Sequence, residues 1–534
     1  MRREFNITGL CVPGRHYMVD LSSRLVQMKK MVDQGQYFTI NRARQYGKTT
    51  TLAALAEYLQ KEYIVVFLDF QMIGSAMYQT EESFARAFAA CFLDEFRSGY
   101  EVVGDALKCA VEELEKSSAD REEPFYLMQL FKRLIRICQA ADNPVVLLLD
   151  EVDSAADNQV FLDFLAQLRT YYLEREALGT VTFQSVILAG VYDVRNLKRK
   201  IRQEEEHKWN SPWNVAAKFK VNMSFTQNDI EGMLKAYEMD HHTGMDIERI
   251  AGLIYADTSG YPYLVSAFCK LLDEEIAGTA DSGSKEDAWT KEGFLAAERM
   301  LLSEKNTLFD SLTGKLEEYP ELDDILKTLL FTGAEIAYNA DEPALDIATM
   351  LGLIIDHNGM VRVANRIFET RLYNLYLSAA DMKNMDIYKA SQRERSQFVV
   401  DGQLNMRRVL EKFTEYFHDL YGNRETAFVE DEGRRLFLLY LRPIINGAGN
   451  PWQTDKNAPK QDVAAVHVYN SKYITVQDLE VTNTEKDEAD LVSDNAKKKQ
   501  SRYLLTGILV ENHDAGDLPG VVVRNNYVHD VNGY

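Results

Sequence analysis

The 534-residue chain is long enough for three or more domains, and its composition, 46% hydrophobic and 27% charged, is that of an ordinary globular protein. It contains no run of eighteen apolar residues and no apolar segment after Met1, so we expect a cytoplasmic protein without a membrane segment. The net charge of −22 argues against a surface that binds nucleic acid over most of its area, although it leaves room for a local basic patch. The five scattered cysteines indicate neither a zinc site nor a disulfide framework.

The first chemically informative stretch is YFTINRARQYGKTTTL, from Tyr37 to Leu52. A short apolar strand enters a turn that ends in Gly-Lys-Thr, and apolar spacing then predicts a helix. In such a turn, backbone N–H groups and the positive end of the helix converge on a phosphate. Lys48 is suited to reach the β and γ phosphates, and the hydroxyl of Thr49 is suited to bind Mg²⁺. The stretch therefore predicts a site for ATP and Mg²⁺.

One position of this turn departs from the usual spacing, because Arg42 stands where a first glycine is expected, five residues before Gly47. A chance Gly-Lys-Thr at a helix start is the alternative. The predicted nucleotide contacts are the residues of the turn and of the first helical turn, namely Arg42, Arg44, Gln45, Tyr46, Gly47, Lys48, Thr49 and Thr50.

Strands and helices alternate around this turn. A helix is predicted before it, from Ser22 to Asp33, and a second buried strand after it, from Tyr63 to Phe70. Three helical stretches follow, at Glu81 to Arg97, Val102 to Lys116 and Tyr126 to Ala140. Asp69, at the end of the second strand, is either a further contact of the metal site or, as the favoured interpretation, a solvated strand end.

A third strand, Val145 to Leu149, runs directly into Asp150 and Glu151. Its uninterrupted Val/Leu run is typical of a central parallel strand that is covered on both faces. Carboxylates at its C-terminal end lie where α/β sheets bind ligands. We predict that Asp150 holds Mg²⁺ and that Glu151 polarises the attacking water. The alternative is a core strand that runs into an acidic surface turn.

A helix from Val160 to Arg175, with Arg169 and Arg175 on its exposed face, precedes a fourth strand, Thr182 to Gly190. The alternation predicts a doubly wound parallel α/β sheet. In ring-forming ATPases a polar residue at the end of such a strand senses the γ-phosphate, and Gly190, Tyr192 and Asp193 occupy that end. A basic cluster follows, formed by Arg195, Lys198, Arg199, Lys200 and Arg202. It is either a solvated turn or a source of a phosphate contact from Arg195, in its own chain or in a neighbouring subunit.

Phe225 begins a helical region that reaches a Gly-Tyr-Pro turn at Gly260. Together with the loop Asn41 to Thr50, the strand end Leu149-Asp150-Glu151 and Ser211-Pro-Trp-Asn, this turn resembles AAA-like P-loop ATPases of the archaeal and STAND types, over about residues 5–450. Loops of that family typically read Arg-x-Arg-x-x-Gly-Lys-Ser/Thr and often lack the first glycine. The resemblance implies an ATPase core over residues 1–225 and a helical lid over residues 226–315, coupled to the nucleotide by the glycine-proline turn.

Residues 316–380 are predicted to form a winged-helix-like module. Helices at Glu321 to Phe331 and Pro343 to Leu351 are followed by a hairpin over Gly352 to Val363 that turns at His357-Asn358-Gly359. The stretch ALDIATML, in the recognition position, contains no basic residue, so we expect a relay or packing module rather than a DNA reader.

Residues 381–450 are predicted to be a helical segment. Its end, GRRLFLLYLRPIINGAGN, resembles the entry to a PD-(D/E)XK nuclease domain, which is commonly fused to this family. No strand with Asp followed by a strand with Glu-x-Lys comes after it, so the metal-binding acids of a nuclease are missing from the sequence. We expect a remnant without nuclease activity.

Residues 451–534 change character at Pro451-Trp452 and contain short alternating strands with Asn-rich turns. Such strands resemble the rungs of a right-handed parallel β-helix of the pectate-lyase type. We interpret this tail as a truncated β-helix joined to a truncated ATPase–nuclease protein.

Three hypotheses of function remain open at this stage. The first is a Mg²⁺·ATP-dependent switch or motor that forms a homo-oligomer. The second is a carbohydrate-active β-helix fragment with a vestigial ATPase, although such a protein would be secreted and the sequence has no signal peptide. The third is an ATPase that processes nucleic acid through a partner nuclease, for which salt-dependent DNA binding is the test. The resemblance hints at DNA-related or defence processes.

Overall fold

The computed structural model describes residues 3–156, 158–191, 213–277, 285–331, 335–378, 398–400, 403–421, 436–438, 440–441, 463–469, 475–477, 480–483, 505–511, 522–524 and 527–531. The chain divides into two compact units, Met1–Tyr376 and Leu377–Tyr534. Within the described ranges, no helix is both long enough and apolar enough to cross a membrane.

The N-terminal part of the first unit alternates strands and helices. In chain order it contains α1 (Ser22–Asp33), β1 (Phe38–Asn41), α2 (Lys48–Leu59), β2 (Ile64–Asp69), α3 (Glu81–Gly99), α4 (Asp105–Ala119), α5 (Leu127–Ala140), β3 (Val145–Asp150), α6 (Gln159–Leu178) and β4 (Ser185–Gly190). Short 3₁₀ turns lie at Phe70–Met72, Ser75–Tyr78 and Val152–Ser154. Each predicted strand and helix of this region is confirmed, with ends that shift by up to three residues.

The four strands form one parallel sheet in the order β1-β4-β3-β2. Successive residues of β3 enter two different cores: Val145, Leu147 and Leu149 pack with α3, α5 and α6, whereas Val146 and Leu148 pack with α1 and α2. Because side chains alternate across a strand, helices on both faces explain the unbroken Val/Leu run. The predicted α/β architecture with a parallel sheet is confirmed.

Both arginines predicted on the exposed face of α6 are partly buried: Arg169 has a buried Nε, and Arg175 turns inward. Arg175 was expected on the exposed face of the helix, but its guanidinium donates to the carbonyl oxygens of Phe183 and Gln184, both at 2.8 Å, and to that of Gly35. The helical pattern alone places Arg175 outside. The carbonyls that end neighbouring loops draw it inward, because buried carbonyl groups need donors.

From residue 227 to residue 378, the described part of the first unit is mainly helical and contains one hairpin. It contains α7 (Gln227–His241), α8 (Ile247–Thr258), α9 (Pro262–Lys270), a π-helical turn (Leu271–Ile276), α10 (Lys285–Ala288), α11 (Lys291–Ser303), α12 (Thr307–Glu318), α13 (Pro320–Phe331), α14 (Pro343–Met350), β5 (Ile354–His357), β6 (Met360–Val363) and α15 (Arg366–Ser378). The predicted hairpin is confirmed: β5 and β6 pair antiparallel, and the turn residues Asn358 and Gly359 both have positive φ.

The described part of the second unit contains β7 (Val399–Val400), β8 (Gln403–Leu404), α16 (Met406–Tyr421) and six further strands. These are β9 (Val463–Tyr469), β10 (Thr475–Gln477), β11 (Glu480–Asn483), β12 (Leu505–Glu511), β13 (Val522–Arg524) and β14 (Tyr527–Val531). They pair in parallel as β9 with β12, β10 with β13 and β11 with β14. Most of the stretch that resembles a nuclease entry lies outside the described residues, and the domain boundaries at 225, 315, 380 and 450 remain predictions.

Candidate nucleotide site

The turn between β1 and α2, residues 42–47, is called the P-loop turn below. Its backbone passes through two left-handed residues, Gln45 with a φ of 57° and Gly47 with a φ of 75°. Glycine adopts this region freely, whereas another residue is disfavoured there by roughly 1 kcal/mol. The φ of Arg42 is not positive, and its N–H donates to the carbonyl oxygen of Gly190 at 3.2 Å. This backbone path therefore does not require a glycine at position 42.

Lys48 begins α2 and is almost fully buried, with only 6% of its surface exposed. Its ammonium group donates to the carbonyl oxygens of Arg42 at 3.0 Å and of Ala43 at 3.1 Å, so the side chain crosses back over the P-loop turn. Burial lowers the pKa of Lys48, and the carboxylates at the end of β3, Glu151 foremost, act in the opposite direction. The lysine thus holds its amine between the turn and these acids.

The acids at the end of β3 form a cluster of like charge. Asp150 is 2% exposed, and the register of β2 and β3 pairs it with Asp69, so both side chains leave the sheet on the face of α2. Burial raises the pKa of Asp150, and the charge of Asp69 raises it further, while the hydroxyl of Thr49 lowers it. A cation bound here would relieve this repulsion.

Glu151 opens the turn that follows β3, residues 151–154, which is called the acidic turn below. Its φ of 51° is left-handed, and its N–H donates to the Asp150 carboxylate at 2.9 Å. Burial raises the pKa of Glu151, Lys48 lowers it, and the neighbouring acids raise it. A carboxylate with a raised pKa is a stronger base than an ordinary glutamate.

The two threonines after Lys48 have different surroundings. Thr49 is exposed in the first turn of α2, and the hydrogen bond of its hydroxyl to the Asp150 carboxylate lowers the pKa of that group. The hydroxyl of Thr50 accepts the Cys11 N–H at 3.2 Å, which ties the N-terminal segment to α2. Thr49 therefore faces the acidic cluster, whereas Thr50 faces away toward residue 11.

The donor chemistry of Thr49 and Asp150 fits Mg²⁺. This ion prefers oxygen ligands and binds beside nucleotides through one or two protein oxygens, with phosphate and water completing the shell. Among the residues that the structure describes, no group of three or more His, Cys, Asp or Glu could hold a metal by itself. The Thr49 hydroxyl and the Asp150 carboxylate supply two oxygen ligands instead. The phosphates of a nucleotide and water would complete the coordination of the ion.

A sequence model of the AAA-like domain matches residues 15–377, which is more than half of the chain. The chain belongs to the AAA-like domain family. Its matched region contains the P-loop turn, Lys48 and the acidic end of β3, and it ends within one residue of the boundary between the two compact units. The comparison with curated proteins gave no match.

Among solved structures, the AAA-like chain is similar to a Walker-type ATPase of Pyrococcus abyssi, with 14% identity, a TM-score of 0.45, and coverage of 69% of this chain and 99% of the other. It is also similar to the ORC2 protein of Aeropyrum pernix in ADPNP–ADP complexes, with 12% identity, a TM-score of 0.38 and coverage of 67% and 94%. A third is the ORC1 protein of Aeropyrum pernix in complex with DNA, with 12% identity, a TM-score of 0.31 and coverage of 68% and 95%.

The predicted side-chain contacts of the P-loop turn have separate partners in this AAA-like fold. The guanidinium of Arg42 donates to the carbonyl oxygens of Asn41 at 2.8 Å and Val221 at 3.2 Å, and Arg44 is exposed. The Gln45 amide donates to the Thr307 hydroxyl at 3.0 Å. Arg42 is therefore engaged with backbone rather than directed into the turn.

Tyr46 and its neighbour Tyr261 connect the turn with the helical region. The Tyr46 hydroxyl lies 2.7 Å from that of Ser224, and the rings of Tyr46 and Tyr261 meet edge to face at 4.6 Å. The Tyr261 hydroxyl donates to the Arg44 carbonyl oxygen at 2.6 Å. The Gly-Tyr-Pro turn was predicted near the nucleotide, but its middle residue was not predicted as a contact of the P-loop turn.

Some predicted residues are not described by the structure, and one residue of the site was not predicted. Arg195, with the rest of the basic cluster, and the strand-end residues Tyr192 and Asp193 lie outside the described residues. Asp153 was not predicted, although its negative charge acts to raise the pKa values of both Lys48 and Glu151. The only sign of it in the sequence is a third acid two residues after Glu151.

Proposed function

We propose that this chain binds Mg²⁺·ATP between the P-loop turn and the acidic end of β3 and hydrolyses it. The observation that carries the proposal is the position of Lys48, whose buried amine crosses the turn and faces the acids at the same sheet edge. A buried cation, free N–H groups at a helix start and paired acids are suited to a polyphosphate with a divalent ion.

Each side chain has a separate role in this proposal. Lys48 and the backbone N–H groups at the start of α2 bind the β and γ phosphates. Thr49 and Asp150 hold Mg²⁺, which neutralises charge on the phosphates when it is bound. Glu151, with its raised pKa, orients the attacking water and accepts its proton. Asp69 lies beside Asp150 and adds negative charge next to the ion.

The proposal includes a switch, because the P-loop turn is contacted by residues from two later regions. Tyr261, at the start of α9, donates to the Arg44 carbonyl and meets Phe368 of α15 at 5.4 Å. Gly352 lies against Ala43, since a Cβ added to Gly352 would be 3.0 Å from that of Ala43. A phosphate that moves the turn would therefore displace the lid and the winged-helix-like module.

The process that this switch serves is a further part of the proposal. The net charge of −22 and the absence of basic residues from α14 argue that nucleic acid is met through a partner rather than directly. Salt-dependent DNA binding by the chain alone would contradict this. Self-association is proposed as well, with Arg195 as a phosphate contact in its own or a neighbouring subunit. The parallel pairs of β9 to β14 support a short β-helix-like tail, and the family match over residues 15–377 disfavours a carbohydrate-active protein.

The test uses the full chain with ATP and Mg²⁺. Lys48→Ala should weaken ATP binding about ten- to hundredfold, as expected for the loss of ~1.5–3 kcal/mol of charge-assisted hydrogen bonds. Glu151→Gln should keep ATP binding and lower turnover by about 10²-fold or more. The exposed residues of α2 and its C-terminal end supply matched controls, Glu57→Gln and Lys61→Ala, which should change neither. If the wild-type chain neither binds nor hydrolyses ATP, the proposal is wrong.

A further inference from the structure

Asp153, the second acid after β3, connects the acidic turn with the end of β4. One of its carboxylate oxygens accepts the Val191 N–H at 2.6 Å. The other lies 2.9 Å from the position that a Cβ on Gly190 would occupy. The carboxylate therefore rests directly on the backbone that ends β4, and it holds this backbone through a charge-assisted hydrogen bond.

Gly190 is explained by this contact rather than by its own conformation. It has no positive φ, so an alanine would be allowed by the backbone. An added Cβ would, however, meet Asp153 Oδ1 at 2.9 Å and Val152 Cγ2 at 3.1 Å. The first distance is too short for a carbon and an oxygen that are not bonded, so glycine at 190 leaves the room that Asp153 needs.

The strand order makes this contact a link between the two halves of the nucleotide site. β4 lies between β1, which leads into the P-loop turn, and β3, which leads into the acidic turn. On one side of the β4 end, the Gly190 carbonyl accepts the Arg42 N–H at 3.2 Å. On the other side Asp153 holds Gly190 and Val191. The two turns are thus joined through Gly190, the last residue of β4, and Val191, the residue that follows it.

Glu151 is the residue that depends on this link. Its left-handed φ of 51° is unfavourable for a glutamate and persists only where its surroundings hold it. The acidic turn is attached before Glu151 by the Asp150 carboxylate, which accepts the Glu151 N–H, and after it by Asp153. Release of the second attachment would separate the turn from the end of β4, and the Glu151 backbone would then depend on hydrogen bonds within the turn and on the buried Val152.

We propose that Asp153 is a positioning residue, which clamps the acidic turn to the end of β4 and so holds the Glu151 carboxylate in place for ATP hydrolysis. This inference rests on the proposed function, because it assigns to Asp153 a role in the same site. It requires Asp153 to act through an oxygen acceptor and not as a base. Gly190 belongs to the clamp as the residue that admits it.

The test compares kcat with the KM for ATP in the full chain. Asp153→Ala should lower kcat by about 10²-fold, since a misplacement near 1 Å has that effect, and should leave KM within about threefold. Asp153→Asn keeps an oxygen that accepts the Val191 N–H and should retain most of the turnover. Gly190→Ala should lower kcat as Asp153→Ala does, because the added methyl group displaces the carboxylate. Asp163→Ala, an exposed aspartate of α6, is the matched control and should leave both constants unchanged.

The double variant Asp153→Ala, Gly190→Ala sharpens the test. The methyl group at 190 enters the space that the carboxylate leaves, so the second substitution should add less than about threefold, far from the product of the single effects. Multiplying effects would contradict the clamp. An Asp153→Asn variant as inactive as Glu151→Gln would overturn it too, because Asp153 would then act as a base. Full kcat in Asp153→Ala, with Glu151→Gln inactive, would remove the clamp and leave the proposed function standing.

Discussion

The P-loop turn and the acidic turn leave the same edge of one parallel sheet, yet they are held in different ways. The P-loop turn is contacted from far along the chain, by Tyr261 on the Arg44 carbonyl and by Thr307 on Gln45. The acidic turn is held from within the sheet, by Asp150 at the end of β3 and by the bond of Asp153 to the end of β4.

This difference separates the turn that carries the proposed catalytic Glu151 from the turn whose position other regions of the chain can change. A turn that is held by its own sheet keeps its geometry as long as the sheet is folded. A turn that is held by distant helices changes when those helices move, and it can also move them. We therefore expect variants of the distant contacts to change ATP affinity, and variants of the acidic turn to change turnover.

The largest effect is expected where the Gly-Tyr-Pro turn approaches its neighbour most closely. Gly260 has a φ of +72°, and an added Cβ would lie 1.8 Å from the Phe225 carbonyl oxygen. Gly260→Ala should therefore destabilise the protein by about 3 kcal/mol or more and lower Tm by about 4 °C or more. Thermal unfolding of the full chain measures this.

Gly232 of α7 supplies the control for that variant, because nothing lies within 4 Å of its added Cβ and its φ is not positive. Gly232→Ala should be neutral or stabilise by about 0.5–1 kcal/mol. Equal Tm values for the two variants would show that the close approach of Gly260 to Phe225 does not stabilise the structure. A lower ATP affinity in the purified Gly260→Ala protein would extend the comparison to the P-loop turn.

A smaller effect is expected from the hydrogen bond itself. Burial raises the pKa of Tyr261 well above its usual range, so its hydroxyl stays protonated and donates to the Arg44 carbonyl. Tyr261→Phe removes this donor and should cost about 1–2 kcal/mol, divided between stability and ATP affinity. Calorimetric titration with ATP and thermal unfolding measure the two parts. Tyr255→Phe, at an exposed tyrosine of α8, is the control. A kcat lowered at unchanged ATP affinity would break the separation between the two turns.

The smallest effect concerns Asp150 in the absence of Mg²⁺ and nucleotide. Burial raises its pKa, so the folded state binds its proton more tightly than the unfolded state does. Its ionised form therefore destabilises the fold. This destabilisation is absent below the pKa of the unfolded state, grows as the pH rises, and is complete above the pKa of the folded state. Asp150→Asn should therefore raise Tm at pH 7.5, by less than the changes expected for the two preceding variants.

The same variant should lose its advantage as the pH falls toward the ordinary carboxyl range. Thermal unfolding between pH 5 and 8 gives the comparison, with Asp142→Asn, an exposed aspartate just before β3, as the control. If the difference in Tm between Asp150→Asn and the wild type widens as the pH falls, the pKa of Asp150 is not raised in the folded state. Added Mg²⁺·ATP should stabilise the wild type more than the variant.

The sequence alone determined the local and periodic features of this protein. The Gly-Lys-Thr turn, the Val/Leu run that ends in Asp150 and the Asn-Gly hairpin at Asn358 depend on neighbours within a few residues, and the structure contains each of them. Hydrophobic spacing predicted their strands and helices because one buried face repeats with a fixed period. Hydrophobic spacing did not predict the left-handed conformation of Gln45 or the fact that the turn accepts an arginine at position 42. The backbone path of a turn depends on the residues that surround it.

Only the tertiary structure decided which distant residues hold the site. Asp153 meets Gly190 and Val191 because β4 inserts between β1 and β3, an order that no local pattern encodes. Tyr261 reaches Arg44 across more than two hundred residues of chain, and Arg175 turns inward to carbonyls of other loops. Side chains of these types satisfy their hydrogen bonds equally well in water, so their partners are selected by the packing of the sheet and its helices and not by their own chemistry.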